Sequence, residues 1–254
     1  MKRNLFAVAV CALLCAALLC ACGKAAEPVS AAPAEAAAEA VEQAAPAAKA
    51  EPLDVYVTIS DAGKLVVPDK LVTAEDFNED GAITLCDALY AAHEEFYDGG
   101  ASAGFEAIPG DYGTNIAVLW GSDNGGSYGY YLDAVSAMNL DEPLTAGCHV
   151  TAYSFADLEA WSDAYSFFSE KEVSLAPNET FTLKLSVVSF DENWNPVTAP
   201  LAGAGVTVND IPINTLTGED GSVLFSFPKA GEYVISAFSD ELTLVPPVCV
   251  IEVA

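Results

Sequence analysis

The chain has 254 residues, with 9 Lys and Arg against 37 Asp and Glu, so its formal net charge is -28 at pH 7. This charge argues against a nucleic acid partner, because a polyanion would meet a protein with almost no cations to displace its counterions. The hydrophobic fraction of 52% argues against wholesale disorder, although an apolar leader and an Ala-rich stretch contribute to it. The remaining length fits about two folded domains.

Residues 1–21 have the pattern of an export signal. Lys2 and Arg3 form a positive start, residues 5–19 are apolar, and small residues close the segment. The apolar run is too short to span a membrane comfortably. We therefore predict a signal peptide over 1–21.

The closing sequence Leu19-Cys20-Ala21-Cys22-Gly23 resembles a bacterial lipobox. The resemblance implies that Cys22 becomes the first residue of the mature chain and carries a lipid. The protein would then be extracytoplasmic and anchored to the bacterial cell membrane. An ordinary secretory signal with incidental cysteines is the alternative.

Residues 22–52 are expected to form a disordered, solvated tether. Ala occupies 14 of the 29 positions from 24 to 52, and no aromatic residue occurs there. Four prolines interrupt any helix, and the segment has no apolar face that could pack. Such a tether would hold the folded part away from the membrane.

Residues 53–170 are predicted to form a small α+β domain. Apolar residues recur with helical spacing over 84–97, and 157–168 is expected to be helical or irregular. Strands are predicted where apolar and polar residues alternate, at 54–60, 64–68, 70–73, 115–120, 129–132 and 149–155.

Residues 171–254 are predicted to form an all-β sandwich. Strand-like runs separated by Pro, Gly, Asn and Asp recur about every ten residues. The segments 201–208, 218–225 and 230–237 resemble bacterial Ig-like surface domains, and the resemblance implies that this unit spaces or presents other modules. The predicted strands are 180–190, 205–208, 222–227, 232–238 and 248–253.

The segment Asp76–Asp87 has the spacing of a calcium loop. Calcium needs six to eight oxygen ligands around one point, and Gly81 at the sixth position allows the sharp turn. The segment resembles a dockerin or EF-hand loop with Asp at position 12. In the alternative interpretation, Thr84 and Asp87 form a capping box after a simple turn. The candidate metal ligands are Asp76, Asn78, Asp80, Ala82 through its carbonyl, Thr84 and Asp87.

Three segments, 83–89, 127–132 and 144–153, resemble the transcobalamin-like C-terminal domain family. The resemblance spans about 54–155 and implies a small β-grasp-like unit. This unit occurs on bacterial surface proteins and as the smaller half of vitamin B12 carriers. Cobalamin is therefore a candidate ligand.

An aromatic, glycine-rich segment between Trp120 and Tyr131 is a candidate ligand site. Flat rings can stack on a planar ligand or a sugar. Because residues two apart in a strand share a side, Tyr128 and Tyr130 should point together and Tyr131 into the core. The alternative is that all these rings, including Trp120, belong to the core.

No catalytic motif is recognised in the sequence, so we predict a protein that is not an enzyme. His93-Glu94-Glu95-Phe96-Tyr97 lacks the second His of the zinc pattern, and both His93 and His149 are expected to be solvated. The three cysteines outside residues 1–23 leave at least one unpaired. A disulfide between Cys86 and Cys148 and buried free thiols remain open alternatives.

These features together predict a calcium-stabilised surface lipoprotein that acts by ligand binding or display. The first alternative is capture of cobalamin or another small molecule for uptake. The second is an adhesion or scaffold protein with a surface or extracellular protein partner.

Overall fold

The computed structural model of the chain describes residues 49–193 and 195–254. The predicted signal peptide, Cys22 and most of the tether lie outside these residues. The described part consists mostly of β-strands and contains several sheets. Neither helix in the described part is long and apolar enough to cross a lipid bilayer.

The first half contains a five-stranded mixed sheet with one long helix packed against it. The sheet order is β2-β1-β7-β5-β6, in which β1 and β7 run parallel and the other neighbours antiparallel. β3 and β4 form a separate hairpin. The elements are β1 (Leu53–Asp61), β2 (Lys64–Ala74), α1 (Leu85–Phe96), α2 (Ala101–Gly104), β3 (Glu106–Gly110), β4 (Gly113–Val118), β5 (Tyr128–Leu132), β6 (Val135–Ser136) and β7 (His149–Ser154).

The core of the first half lies between β1 and α1. Val55, Val57 and Ile59 alternate along β1 and are fully buried. Leu85 and Leu89 lie one turn apart on α1 and belong to the same buried cluster. The buried face of alternating residues in β1 and the apolar stripe of α1 therefore form one core, as the sequence predicts.

The second half is a two-sheet β-sandwich, which confirms the all-β prediction at this level. One sheet has the order β11-β10-β8-β16, with β14 also paired to β10, and the other has the order β13-β12-β15-β17-β9. Leu183 and Phe225 of the first sheet share a core with Ile235 and Ile251 of the second. The strands are β8 (Ala164–Phe168), β9 (Glu172–Leu175), β10 (Thr180–Phe190), β11 (Pro196–Pro200), β12 (Gly205–Val208), β13 (Ile211–Leu216), β14 (Ser222–Ser226), β15 (Gly231–Phe238), β16 (Leu244–Val245) and β17 (Cys249–Val253).

Residues 157–168, which were expected to be helical or irregular, are irregular over 157–163 but form the strand β8 over Ala164–Phe168. β8 pairs antiparallel with β10 and parallel with β16, so it is a strand of the sandwich although the sequence assigns 53–170 to the first domain. Five residues, Ala-Tyr-Ser-Phe-Phe, are too few to distinguish a strand from a helix by their periodicity. Its hydrogen-bond partners lie at 185–187 and 244–245, far away in sequence.

The two halves share a buried aromatic cluster. Tyr131 and Tyr153 come from the first half, and Tyr165 and Val245 come from the sandwich. An exposed ion pair also joins the halves, with 2.9 Å between Lys70 Nζ and Glu232 Oε1. The cluster buries apolar surface from both halves, so it favours a fixed junction between them.

Candidate functional site

The candidate calcium loop is organised around the carboxylate of Asp76. Its Oδ1 accepts a hydrogen bond from the Asp80 N–H at 3.0 Å, and its Oδ2 accepts from the N–H groups of Ala50 and Gly81, each at 3.0 Å. These hydrogen bonds hold the pKa of Asp76 below its ordinary value, and the one from the Ala50 N–H has the largest effect. Asp76 is therefore ionised at neutral pH.

The exposed part of the loop is held by its own side chains. Asn78 Nδ2 donates to Asp80 Oδ2 at 2.8 Å, and the Ala82 N–H donates to Asp80 Oδ1 at 2.9 Å. Glu79 and Gly81 have φ values of 58° and 90°, which produce the tight turn between these residues. Asn78 and Asp80 thus lie on the solvent side of the loop, while Asp76 is buried.

Asp87 connects the loop to the start of α1. Its Oδ2 accepts from both the N–H and the hydroxyl of Thr84 at 2.7 Å, and its Oδ1 accepts from the Phe77 N–H at 3.2 Å. Asp87 and Thr84 therefore make the capping box that the sequence offered as an alternative. Capping does not exclude a metal, since carboxylate oxygens accept more than one bond.

The donor set of this loop suits calcium in its chemistry. The predicted ligands are carboxylate, amide, hydroxyl and carbonyl oxygens, which calcium prefers. Within 49–193 and 195–254, however, no group of three or more His, Cys, Asp or Glu side chains converges to hold a metal ion. The carboxylates point instead at the loop amides, so calcium binding at this loop stays a prediction.

Tyr128 and Tyr130 point to the same side of β5, and Tyr131 points to the other. The first two are half-buried and pack against the core of the first half, whereas Tyr131 joins the aromatic cluster at the junction. The Tyr128 hydroxyl lies 2.8 Å from the carbonyl oxygens of Ala117 and Ser122. The Tyr130 hydroxyl donates to Asn115 Oδ1 at 3.1 Å. The predicted alternation is present, but Tyr128 and Tyr130 face the core of the first half and Tyr131 faces the junction, which is the reverse of the predicted sides. Both hydroxyls have partners within the protein.

Trp120 is half-buried and contacts His93. The backbone N–H of Trp120 donates to His93 Nε2 at 3.1 Å, and His93 Nδ1 donates to the Leu89 carbonyl at 2.6 Å. With one ring nitrogen accepting and the other donating, His93 is neutral, and burial lowers its pKa. The expectation that His93 is solvated is wrong, because it lies one turn after Leu89 on the buried stripe of α1. The spacing of four residues between Leu89 and His93 is the sequence signal that identifies His93 as a buried residue.

His149 is also more enclosed than the sequence suggests. Its ring stacks on Tyr56 with a centroid distance of 4.7 Å, and its Nδ1 lies 2.9 Å from Asp69 Oδ1. Asp69 is buried, and its Oδ2 has no hydrogen-bond partner. This pair therefore occupies a polar, partly enclosed environment next to the central strands.

The three cysteines of the described part are buried free thiols. Burial raises the pKa of Cys86 to about 12 and that of Cys249 to about 12. Burial also raises the pKa of Cys148. The structure therefore resolves the open alternatives against a bond between Cys86 and Cys148, and a protonated buried thiol is a poor nucleophile.

A cleft lined mainly by aromatic residues lies at the junction of the halves, and the sequence did not identify it as a whole. One part, of about 330 Å³, includes Tyr131, Tyr165 and Phe190 in its lining. The adjoining part, of about 380 Å³, lies between the 125–128 loop and Trp161. Trp161 is 64% exposed. The two walls come from segments far apart in the chain, so no local pattern reveals them.

Comparison with known proteins gives little further information. No family model and no curated protein matches this chain. A solved structure of the D0-D1 domain of intimin aligns with 10% identity, over 78% of this chain and 97% of that chain, with a TM-score of 0.27. A likeness at this level does not decide what this protein does.

Proposed function

We propose that this chain is a lipid-anchored bacterial surface protein that acts by binding or display. The observation that carries the proposal is the open aromatic cleft beside a junction whose buried rings belong to both halves. A fixed junction would keep the cleft in one shape, and exposed aromatic rings are common at binding surfaces. The lipobox-like sequence at Cys22 and the Ala-rich tether support an extracytoplasmic location.

We also propose a more specific fold for each half. The order β2-β1-β7-β5-β6 with a parallel central pair, together with α1, supports a β-grasp-like first domain. The two packed sheets of the second half support an Ig-like sandwich. Folds of this kind serve many functions, so the proposal depends on the cleft and the anchor.

We also propose that calcium stabilises the place where the tether enters the folded part. The Ala50 N–H bonds to Asp76, and Lys49 Nζ lies 3.5 Å from Glu75 Oε2. A cation held by Asp76, Asp80 and Asp87 would offset the mutual repulsion of these carboxylates and order the loop. Asn78, Thr84 and the carbonyl of Ala82 would supply the other oxygens.

Display on the cell surface can be tested on intact cells. An epitope tag placed directly after the exposed Ala254 should be reached by antibody in cells that make the otherwise unaltered chain. Cys22→Ala should release the protein from the membrane, whereas Cys15→Ala, within the predicted leader, should leave the labelling unchanged. Antibody access only after lysis would contradict the proposal.

Cobalamin capture stays the alternative that the family resemblance suggests. The hydrogen bonds of Tyr128 and Tyr130 do not favour it, because both hydroxyls already have partners inside the protein. Titration of the full chain with cobalamin, followed by calorimetry, distinguishes cobalamin capture from the proposed binding or display function. Saturable binding that Tyr130→Phe weakens would favour capture.

A further inference from the structure

Trp161 is an exposed tryptophan in a rigidly built loop. The loop 156–163 is held by Asp157, whose Oδ1 accepts from the N–H groups of Glu159 and Ala160 at 3.1 and 3.0 Å. Asp163 accepts from the N–H groups of Ala156 and Asp157 at 2.6 and 2.9 Å. The Trp161 side chain nevertheless remains 64% exposed, although burying an indole is strongly favourable. The loop therefore presents this ring to solvent.

Aromatic rings and bare backbone line the space beside Trp161. Trp161, Phe155 and Tyr128 line the cleft of about 380 Å³ together with the backbone of Gly125 and Gly126. A Cβ added at either glycine would meet no atom within 4 Å, so this wall leaves open space. This part of the cleft alone lies within the range of small-molecule sites.

Carboxylates lie beside the aromatic cleft, and one of them, Asp163, lines the part of about 330 Å³. Asp123 accepts from the Gly125 N–H on one side, and Asp157 and Asp163 hold the loop on the other. A hydrogen bond from Ser162 and backbone donors lower the pKa of Asp157, so it stays ionised in neutral solution. Among the described residues that line the two parts of the cleft, none is Lys or Arg. The electrostatic preference is for a cation, and the net charge of -28 reinforces it.

The position of these carboxylates selects the type of cation. Both oxygens of Asp157 and both of Asp163 already accept bonds from the loop. No Asp or Glu is among the described residues that line the part of the cleft against Trp161 and Phe155, so a primary ammonium placed there would lack carboxylate acceptors for its three N–H donors. A quaternary ammonium has no N–H donors and binds through its methyl groups against aromatic faces.

We propose that this cleft binds an organic cation with a quaternary ammonium head group, placed against Trp161 and Phe155. The proposal rests on the proposed binding function and names its ligand class. The site shares Tyr128 and Tyr130 with the predicted Trp120, Tyr128 and Tyr130 set, but it lacks Trp120 and adds Trp161 and Phe155.

Choline and its uncharged carbon isostere, 3,3-dimethyl-1-butanol, test the proposal on the full chain purified in detergent. Calorimetry should show saturable choline binding in the millimolar range or tighter, with the isostere about tenfold weaker. Trp161→Ala should weaken choline binding about tenfold, and its unchanged melting curve should show that the fold is intact. Tyr112→Ala, at a ring that is 82% exposed and does not line the cleft, should bind as the unaltered chain does.

Equal binding of choline and the isostere would overturn the proposal, because it would show a merely apolar cleft. Unchanged affinity in Trp161→Ala, or no saturable choline binding, would also overturn it. These results leave antibody access on intact cells untouched, so a failure of the ligand assignment is separable from a failure of the surface function.

Discussion

The rings of Tyr131 and Tyr165 lie parallel, with centroids 3.6 Å apart and an interplanar angle of 6°. Tyr131 belongs to β5 of the first half and Tyr165 to β8 of the sandwich. Both are buried, at 8% and 3% exposure. A stacked pair of this kind couples the two halves, because separating them would expose both rings to water.

Removing one ring of this pair should weaken the junction. We expect Tyr131→Ala to lower the free energy of unfolding by about 3–5 kcal/mol, as for other large buried aromatics. Calorimetry should then show two unfolding transitions instead of one, since each half has its own core. Tyr112→Ala, on the exposed β3–β4 turn, should leave the thermogram unchanged. A single transition at the unaltered temperature in Tyr131→Ala would contradict the coupling.

The buried neutral His93 should make stability fall in mild acid. Burial lowers its folded pKa below the ordinary value of 6.5, so below that pH the unfolded chain binds a proton that the folded chain does not. This contribution is fully present above about pH 6.5 and is lost as the pH falls, by up to about 1.4 kcal/mol between pH 7.5 and 5.5. Urea denaturation at the two pH values measures the difference.

Two variants assign this pH dependence to His93. His93→Gln should flatten it by removing the titrating ring, even if the amide destabilises the chain at both pH values. His149→Gln should retain the dependence due to His93, although it loses the contact with Asp69. An equal slope in His93→Gln and in the unaltered chain would refute the assignment.

Calcium should stabilise the first half if the loop at 76–87 binds it. At free calcium about 100-fold above the dissociation constant, linkage gives about 2.7 kcal/mol. Asp80→Ala should abolish the rise in melting temperature, because it removes an exposed carboxylate that holds only the loop. Asp240→Ala, at an exposed acid of the sandwich, should keep the full rise. Identical melting curves of the unaltered chain with calcium and with chelator would exclude the site.

Local patterns predicted the strands well where one face is buried. In β10, Leu183 and Leu185 are buried and Lys184 between them is exposed, so the alternation is visible in the sequence. β14 shows the same period at Val223 and Phe225. The register and the pairing partners depend on residues far apart and could not be derived in this way.

The errors occurred where tertiary contacts decide the environment. His93 was expected in solvent because its residue type is polar, although the Leu89 carbonyl and the Trp120 N–H satisfy both ring nitrogens. The cleft forms only when the 125–128 loop and Trp161 come together. The oxygen ligands of the predicted calcium loop are close in sequence, yet Asp76 and Asp87 bond to backbone amides whose positions only the fold defines.

Attachment to the membrane through Cys22 is the central claim, and the mass of the N-terminal peptide tests it most directly. Protein taken from the detergent phase should yield a peptide that begins at Cys22 and carries the added mass of a thioether-linked diacylglyceryl group. Cys22→Ala should lack this mass and move to the aqueous phase, while Cys15→Ala should match the unaltered chain. An unaltered chain whose N-terminal peptide carries no acyl mass would contradict the account.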